Sequence, residues 1–484
     1  MDVKAMFPLF SQSSGLLVIG LYALFVFVLT AWYAKGYNKD KESFLVANRK
    51  VGFWQGSMGV GASWIWAPGL FVAAQQGYNN GIAGVFWFSL GNFFTLMLFS
   101  WGAVKIREKY GEGFTLSQFF RTKYGKLIQF FVFLQTALYV FQAMTINLFA
   151  GGKSVTLLTG LSPLVVSSLL VAIAFVYSWR GGQKATMITD VVKIAVIWVG
   201  MIIIAFAVFG TTGFDPVLAG IGGKTGQGTT LFDNPFAWGL FLGFGVPTVI
   251  GHLASTWTDN VMYQNALSIE KDKVRKAFIV APLYWTILPV VGGMLGMLAA
   301  GLSYDVKGPD TGFINLIVMA NVVGPWLALM YLIVAFAGIV SILDTQLTSG
   351  ANLGGNDVHD SINGNDPVQW GRYAMIVVAL GGITLANIPG LDLNQIFVFG
   401  KSLSLAFAIP IVMALLGNDL LTRNGFIAGG AVGVLIGLPY FVYGQFFGGG
   451  PVVIAQAVLI QTLGSGAAAY AVSKLWPNKD KAIA

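Results

Sequence analysis

The 484-residue chain has no cysteine, only two histidines (His252 and His359), and few charges: Asp, Glu, Lys and Arg make up 10% of it. Without cysteine there is neither a disulfide nor a thiolate metal site, and only His252 and His359 could offer an imidazole to a metal. No His-x-x-x-His or Glu-x-x-His spacing and no Ser–His pair stands out, which argues against an enzyme buried in a bilayer. The scarcity of charge, beside 56% hydrophobic residues and a mean hydropathy of +0.73, leaves too little polar surface for a soluble protein of this size. The net charge of +8 does not point to nucleic acid, because the basic residues fall in short loops between apolar segments.

A membrane-spanning helix needs about 20 apolar residues. On that measure thirteen spans are expected, at roughly 15 to 34, 52 to 76, 81 to 104, 127 to 152, 163 to 179, 185 to 210, 236 to 268, 277 to 301, 324 to 350, 373 to 388, 396 to 416, 425 to 444 and 452 to 473. Runs such as Gly15 to Ala31 are too long and too uniformly apolar for a transmembrane barrel, whose strands alternate over about ten residues. No basic leader or Ala-x-Ala site precedes the first run, so it is expected to be retained as a span. The longest polar stretches, Thr211 to Pro235 and Asn352 to Gln369, are loops, and no second soluble domain is expected.

Short cytoplasmic loops keep Lys and Arg. With the N-terminus outside, inner loops hold Lys35, Lys39, Lys41, Arg49, Lys50, Lys105, Arg107, Lys109, Arg121, Lys123, Lys126, Arg180, Lys184, Lys271, Lys273, Arg275, Lys276, Arg372, Arg423, Lys474, Lys479 and Lys481. Only Lys4, Lys153, Lys224 and Lys307 fall outside, and the odd number of spans places the C-terminus in the cytoplasm. The expected location is the cell (inner) membrane, crossed many times.

Two spans are interrupted by Pro and Gly, at Ala67-Pro68-Gly69 and at Gly243-Phe244-Gly245-Val246-Pro247, in corresponding places of two five-span halves. Backbone groups freed inside a bilayer must face protein or a water-filled cavity. Paired breaks of this kind point to a solute and ion site near the midplane of a transporter. A channel has no need of them.

The run Arg180-Gly181-Gly182-Gln183-Lys184-Ala185-Thr186-Met187-Ile188-Thr189-Asp190 resembles the Gly-Gly-x-x-Ala-x-x-x-Thr-Asp signature of the solute:sodium symporter family. Asp259 to Gln264 with Arg275-Lys276-Ala277, Ser341 to Leu347, and Pro410 resemble further family blocks in family order. Ser63 to Ala67, Gly81 to Phe88 and the Asp259 to Gln264 block are most similar to urea active transporters. The resemblance implies an all-α membrane protein of the leucine-transporter fold, with inverted repeats at 52–210 and 236–416 inside a single transport domain, each opening with a broken helix. It also implies a coupling cation held by the Ala62 and Ile65 carbonyls with Gly338 and Ser341. Two residues depart from that pattern: Ile342 stands where a second hydroxyl is usual, and Lys193 replaces a polar neutral residue.

Asp190 and Asp344 lie at one depth, five or six residues inside the cytoplasmic boundary at about 1.5 Å per residue. Asp190 with Lys193, and Ser341 with Asp344, are i, i+3 pairs on shared helix faces. Intramembrane charges are costly and mark function by default. Two readings follow: a structural Asp190–Lys193 ion pair with Asp344 hydrogen-bonded nearby, or a cation site, for sodium or a proton, formed or supplemented by Asp190, Asp344 and Thr345.

For the solute, the first break offers Trp64, Trp66 and Gln75, and the second Thr248, His252, Ser255 and Thr256. His252 stands at a solute-facing position in the resemblance or is a helix-to-helix hydrogen bond. Tyr139, Gln142, Asn147 and Trp285 are candidate walls. Lys401 is expected near the outer surface, snorkelling towards Asp392, with an extracellular gate or an anion contact as the other possibility. The function implied is cation-coupled symport of a small polar solute, urea first, an amino acid or small carboxylate second. A transporter-like sensor is the remaining alternative, disfavoured because only ten residues follow Lys474. The expected partners are the solute and the lipid bilayer, with no nucleic acid and no obligatory protein.

Overall fold

The computed structural model describes residues 7–33, 40–362, 364–417 and 420–477. Lys4, Lys35, Lys39, Lys479 and Lys481, used above for orientation, lie outside the described residues. The described chain is helical, and two residues, Val51 and Ile269, form an isolated parallel bridge.

In chain order the main helices are α1 (Gln12–Tyr33), α2 (Phe53–Ala62), α3 (Ala67–Lys109), α4 (Leu116–Tyr124), α5 (Lys126–Thr159) and α6 (Pro163–Thr212). They continue as α7 (Pro235–Thr258), α8 (Asn260–Ser268), α9 (Val274–Gly301), α10 (Ile314–Val322), α11 (Pro325–Ile362), α12 (Pro367–Ala386), α13 (Leu393–Leu416), α14 (Arg423–Phe446) and α15 (Gly450–Leu475). Eleven helical stretches among the described residues are long and apolar enough to cross a membrane. Two of them, α3 and α6, are each folded back at a glycine, Gly81 (φ 62°, ψ −152°) and Gly182 (φ 52°, ψ −152°). Counting each as two, with α2 completing the short first part of α3, gives thirteen among the described residues, as expected.

Only glycine fits these two turns. Their φ is positive, where a Cβ is strained, and a Cβ at Gly81 would lie 2.2 Å from the Ile221 carbonyl oxygen, one at Gly182 2.3 Å from that of Phe44. Gly182 is the second glycine of the Gly-Gly signature, so part of that motif serves folding.

The first interruption is real but sits earlier than expected. Helix α2 ends at Ala62, Ser63 to Trp66 form tight turns, and Pro68 lies in the first turn of α3, where a missing N–H costs nothing. The freed Ala67 N–H donates to Asn147 Oδ1 of α5 at 2.8 Å. The second interruption is not at Gly243 to Pro247. There the chain stays helical, passing through a π-helical turn at Phe241–Gly245 into Val246–Thr258, with Pro247 just after the π-helical turn. The break comes about a dozen residues later, at Asp259 (φ −92°, ψ 112°), whose Oδ1 accepts from the Val261 N–H at 2.9 Å and caps α8.

Helix α11 is the most buried span, while α1 and α12 lie at the periphery. Basic side chains gather at one end of the bundle. There Arg49 donates to the Gly113 carbonyl at 2.8 Å, Arg107 to that of Ile269 at 3.3 Å, and Arg372 lies over the Phe44 and Trp179 rings. Lys224 and Lys307 flank Asp305 in loops elsewhere, and these two ammonium groups hold its carboxyl below the usual carboxylate range.

Candidate solute and cation sites

The first break exposes two tryptophans to the interior. Trp66, the extended residue before α3, donates its indole N–H to the Ser63 carbonyl at 3.1 Å, and Trp64 donates to Asn92 Oδ1 at 3.1 Å. Asn92 is oriented by donating to the Phe88 carbonyl one turn earlier at 2.8 Å. These residues, with Pro68, Gly69, His252, Trp285, Phe397 and Lys401, line a cavity of about 10 Å³. All ten are buried. That volume holds about one water, so any larger solute requires the aromatic walls to move.

His252 stands at the centre of a ring cluster, its centroid 6.1 Å from Trp64, 6.2 Å from Phe88 and 5.5 Å from Phe397. Its Nδ1 is buried without a hydrogen-bond partner. Of the expected solute contacts, Trp64, Trp66, His252 and Trp285 reach the cavity. Ser255 sits beside it, its hydroxyl donating to the His252 carbonyl at 3.0 Å and accepting from Lys401 at 3.4 Å.

Gln75, Gln142, Thr248 and Thr256 do not line the cavity. Gln75 is turned to Thr311 (3.0 Å), Gln142 is packed against Gly400, and Thr256 lies 3.3 Å from the Thr95 hydroxyl. Each follows the helix face it happens to occupy, which residue type alone does not reveal. Tyr139 backs the site by packing edge-on to Trp66 at 5.5 Å. Asn147 is the cap of α3 described above.

Lys401 corrects the expectation most sharply. It neither reaches the surface nor pairs with Asp392; only 3% of it is exposed. Its Nζ lies 5.2, 5.1 and 5.7 Å from the rings of Trp64, Trp66 and Phe397. A lysine nine residues into α13 has descended well below its end, and the hydrophobic run on both sides left it no water to snorkel to. Asn92 and Phe397 were missed as wall residues. Their spacing offered a signal, since Phe88 with Asn92 and Phe397 with Lys401 are i, i+4 pairs on one helix face.

A second polar centre lies between α6 and α11. The Lys193 ammonium donates to Asp190 Oδ1 at 3.3 Å, to the Tyr177 hydroxyl at 3.2 Å and, in a short contact, to Asp344 Oδ2. That uses all three of its N–H donors. Ser341 Oγ donates to Asp190 Oδ1 at 2.6 Å, Tyr177 donates to Asp344, and Thr345 donates to the Ser341 carbonyl and lies 3.1 Å from Asp344 Oδ1. Every member is buried. Asp190, Lys193, Ser341, Asp344 and Thr345 are therefore brought together; Tyr177 was missed, being one more aromatic in an apolar run.

The Ala62 carbonyl accepts from the Ile65 N–H at 3.0 Å, and Gly338 packs against Ile65, whose carbonyl oxygen would lie 3.5 Å from a Cβ there. Among the described residues no hydrogen bond joins this group to the Asp190 cluster. A third network reaches both broken helices. Asn265 of α8 donates to Ser63 Oγ (3.0 Å), Gln183 to Asn265 Oδ1 (2.8 Å), and Thr348 to Gln183 Oε1 (3.2 Å).

This arrangement of interrupted membrane helices defines a protein of the leucine-transporter fold. A solved structure described as a substrate-bound, outward-open Na+-coupled sialic acid symporter superposes with a TM-score of 0.77 at 14% identity, covering 96% of this chain and 98% of that one. The sequence model of the sodium:solute symporter family matches residues 44–433, and the chain belongs to that family. Similar sequences include a urea-proton symporter of Oryza sativa subsp. japonica, 23% identical over 89% of this chain and 66% of its own length. A probable urea active transporter 1 of Schizosaccharomyces pombe is 26% identical over 61% of this chain and 47% of its own length. The chain thus spans about half to two thirds of these relatives.

Proposed function

We propose that this chain carries a small polar solute, urea first, across the membrane in symport with a cation. The observation that carries the reading is the buried aromatic box at the first break. It has two tryptophans, a histidine, an asparagine and a lysine around about 10 Å³, and a separate buried cluster of Asp190, Lys193 and Asp344 joins α6 to α11. Expansion from one water to a solute of four heavy atoms is a small rearrangement, whereas a sugar would need a much larger one. The urea transporters among the relatives support the same choice. An amino acid or small carboxylate is the second reading, supported by the buried Lys401.

In this proposal residues 52–210 and 236–416 act as inverted repeats, and the basic end of the bundle faces the cytoplasm. Trp64, Trp66, His252 and Trp285 contact the solute. Binding of the cation stabilises α2 and α3 against α11 through Ile65 and Gly338, and by linkage the solute tightens cation binding by the same factor. For the coupling ion, family membership favours sodium. The Lys193 ammonium favours a proton, because it already lies among the oxygens of Asp190, Asp344 and Tyr177. With all three ionised, two carboxylates and one ammonium leave one negative charge, which one sodium or one proton would balance.

The test is labelled-urea uptake by the purified protein in liposomes, driven by a sodium gradient or by a proton gradient alone, with a panel of competing solutes. Concentrative uptake of urea under either gradient bears the proposal out. Accumulation of a bulky sugar with no urea uptake overturns the solute, and binding without flux under both gradients overturns transport.

A further inference from the structure

Lys401 is placed where a charge is hard to sustain. Among the described residues no carboxylate oxygen lies within 4 Å of its Nζ. Its hydrogen bond is the one to Ser255 Oγ at 3.4 Å, near the limit of such a contact. An ammonium has three donors, so at least two are unused, in a residue that lines the cavity. The rings of Trp64, Trp66 and Phe397 around it attract a cation. They accept no ordinary hydrogen bond. A buried charge with unmade hydrogen bonds carries a desolvation cost that a suitable oxygen would relieve.

We infer that Lys401 anchors the solute by donating to an sp² oxygen. Resting on the solute site proposed above, this assigns the class of ligand: small molecules that carry a carbonyl or carboxylate oxygen and no positive charge. Urea and acetamide meet both conditions, and acetate meets them as an anion. Guanidinium matches urea in shape and size but offers no acceptor, and its charge is repelled by the ammonium. The indoles of Trp64 and Trp66 line the cavity with centroids 6.3 Å apart and planes tilted by 53°, so these walls limit the size of the ligand while Lys401 selects the oxygen. His252, which lines the same cavity, is left to meet the nitrogen end.

The test compares the parent, Lys401→Met and Lys401→Arg in liposomes, using labelled-urea uptake with acetamide, acetate or guanidinium as competitor, and calorimetry for binding of each compound. The parent should be inhibited by acetamide and not by guanidinium at equal concentration. Lys401→Met should weaken urea and acetamide by about tenfold or more, the loss of a charged hydrogen bond, and should narrow the discrimination against guanidinium. Lys401→Arg, which keeps the charge, should keep that discrimination. A selectivity ratio is not moved by partial misfolding.

Guanidinium competing as well as acetamide in the parent, or unchanged discrimination in Lys401→Met, overturns the inference while leaving urea transport standing. If the parent transports no urea but binds acetamide or acetate in a Lys401-dependent way, the urea reading fails and this one holds. Should Lys401→Met not reach the membrane, the parent's acetamide-to-guanidinium ratio and its retention in Lys401→Arg still decide.

Discussion

Lys193 of α6 reaches across the helix interface to Asp344 of α11, ammonium to carboxylate, with both side chains buried. The partners are 151 residues apart in sequence. Removing one member of such a buried pair leaves the other charge uncompensated and destabilises by about 3 to 5 kcal/mol. The pair also joins two helices that are distant in sequence and packed together in the bundle. A contact of this kind suits a coupling element, since its strength changes when a cation or proton arrives.

Lys193→Gln removes the ammonium and leaves Asp190 and Asp344 free to bind a cation. Urea uptake should become more sodium-dependent, with sodium activation appearing or strengthening several-fold. Uptake titrated against sodium at fixed pH is the measurement; an unchanged sodium response would show that the ammonium does not stand in for a cation.

Ser341→Ala and Asp344→Asn address the same cluster from α11. If sodium is the coupling ion, each should weaken sodium activation. If it is a proton, low external pH should drive uptake by the parent without sodium, and Asp344→Asn should uncouple it. Both ion dependences remaining as in the parent, in all three variants, would make the cluster structural.

His252→Ala should raise the apparent KM for urea by about tenfold, the worth of roughly one good hydrogen bond, without loss of inserted protein. Unchanged kinetics in a well-expressed variant would place His252 in packing alone.

Asn147→Ala removes the side-chain cap on the Ala67 N–H at the start of α3. A lost cap costs about 0.5 to 2 kcal/mol, so the Tm of the detergent-solubilised protein should fall by a few degrees and maximal uptake should drop. An unaltered Tm would mean that water or another group replaces the cap.

Gly182→Ala puts a Cβ 2.3 Å from the Phe44 carbonyl oxygen at a positive φ. The expected result is loss of folded protein from the membrane fraction, judged by a monodisperse elution profile. Normal yield would require the turn to take another conformation.

Much of the architecture was legible along the chain, because span length and apolar content are local quantities that a bilayer enforces. Thirteen spans, the Gly-Gly turn and the pairing of Asp190 with Lys193 by i, i+3 spacing follow from such rules. The second break did not. Pro247 looks like an interruption, but the wider π-helical turn just before it accommodates the missing N–H without ending the helix, and the chain opens at Asp259 instead, where a carboxylate caps the next helix.

Tertiary structure alone decided the rest. Whether Lys401 snorkels or enters the pocket depends on how far α13 is sunk against α7 and the first break, and the sequence of α13 carries no record of that depth. Tyr177 joins Lys193 and Asp344 only because the turn at Gly182 folds α6 back on itself. Thr256 and Gln75, polar and suitably placed in sequence, face neighbouring helices instead of the cavity. Helix periodicity fixes which residues share a face; packing among helices distant in sequence fixes what that face meets, and the solute chemistry resides in that second relation.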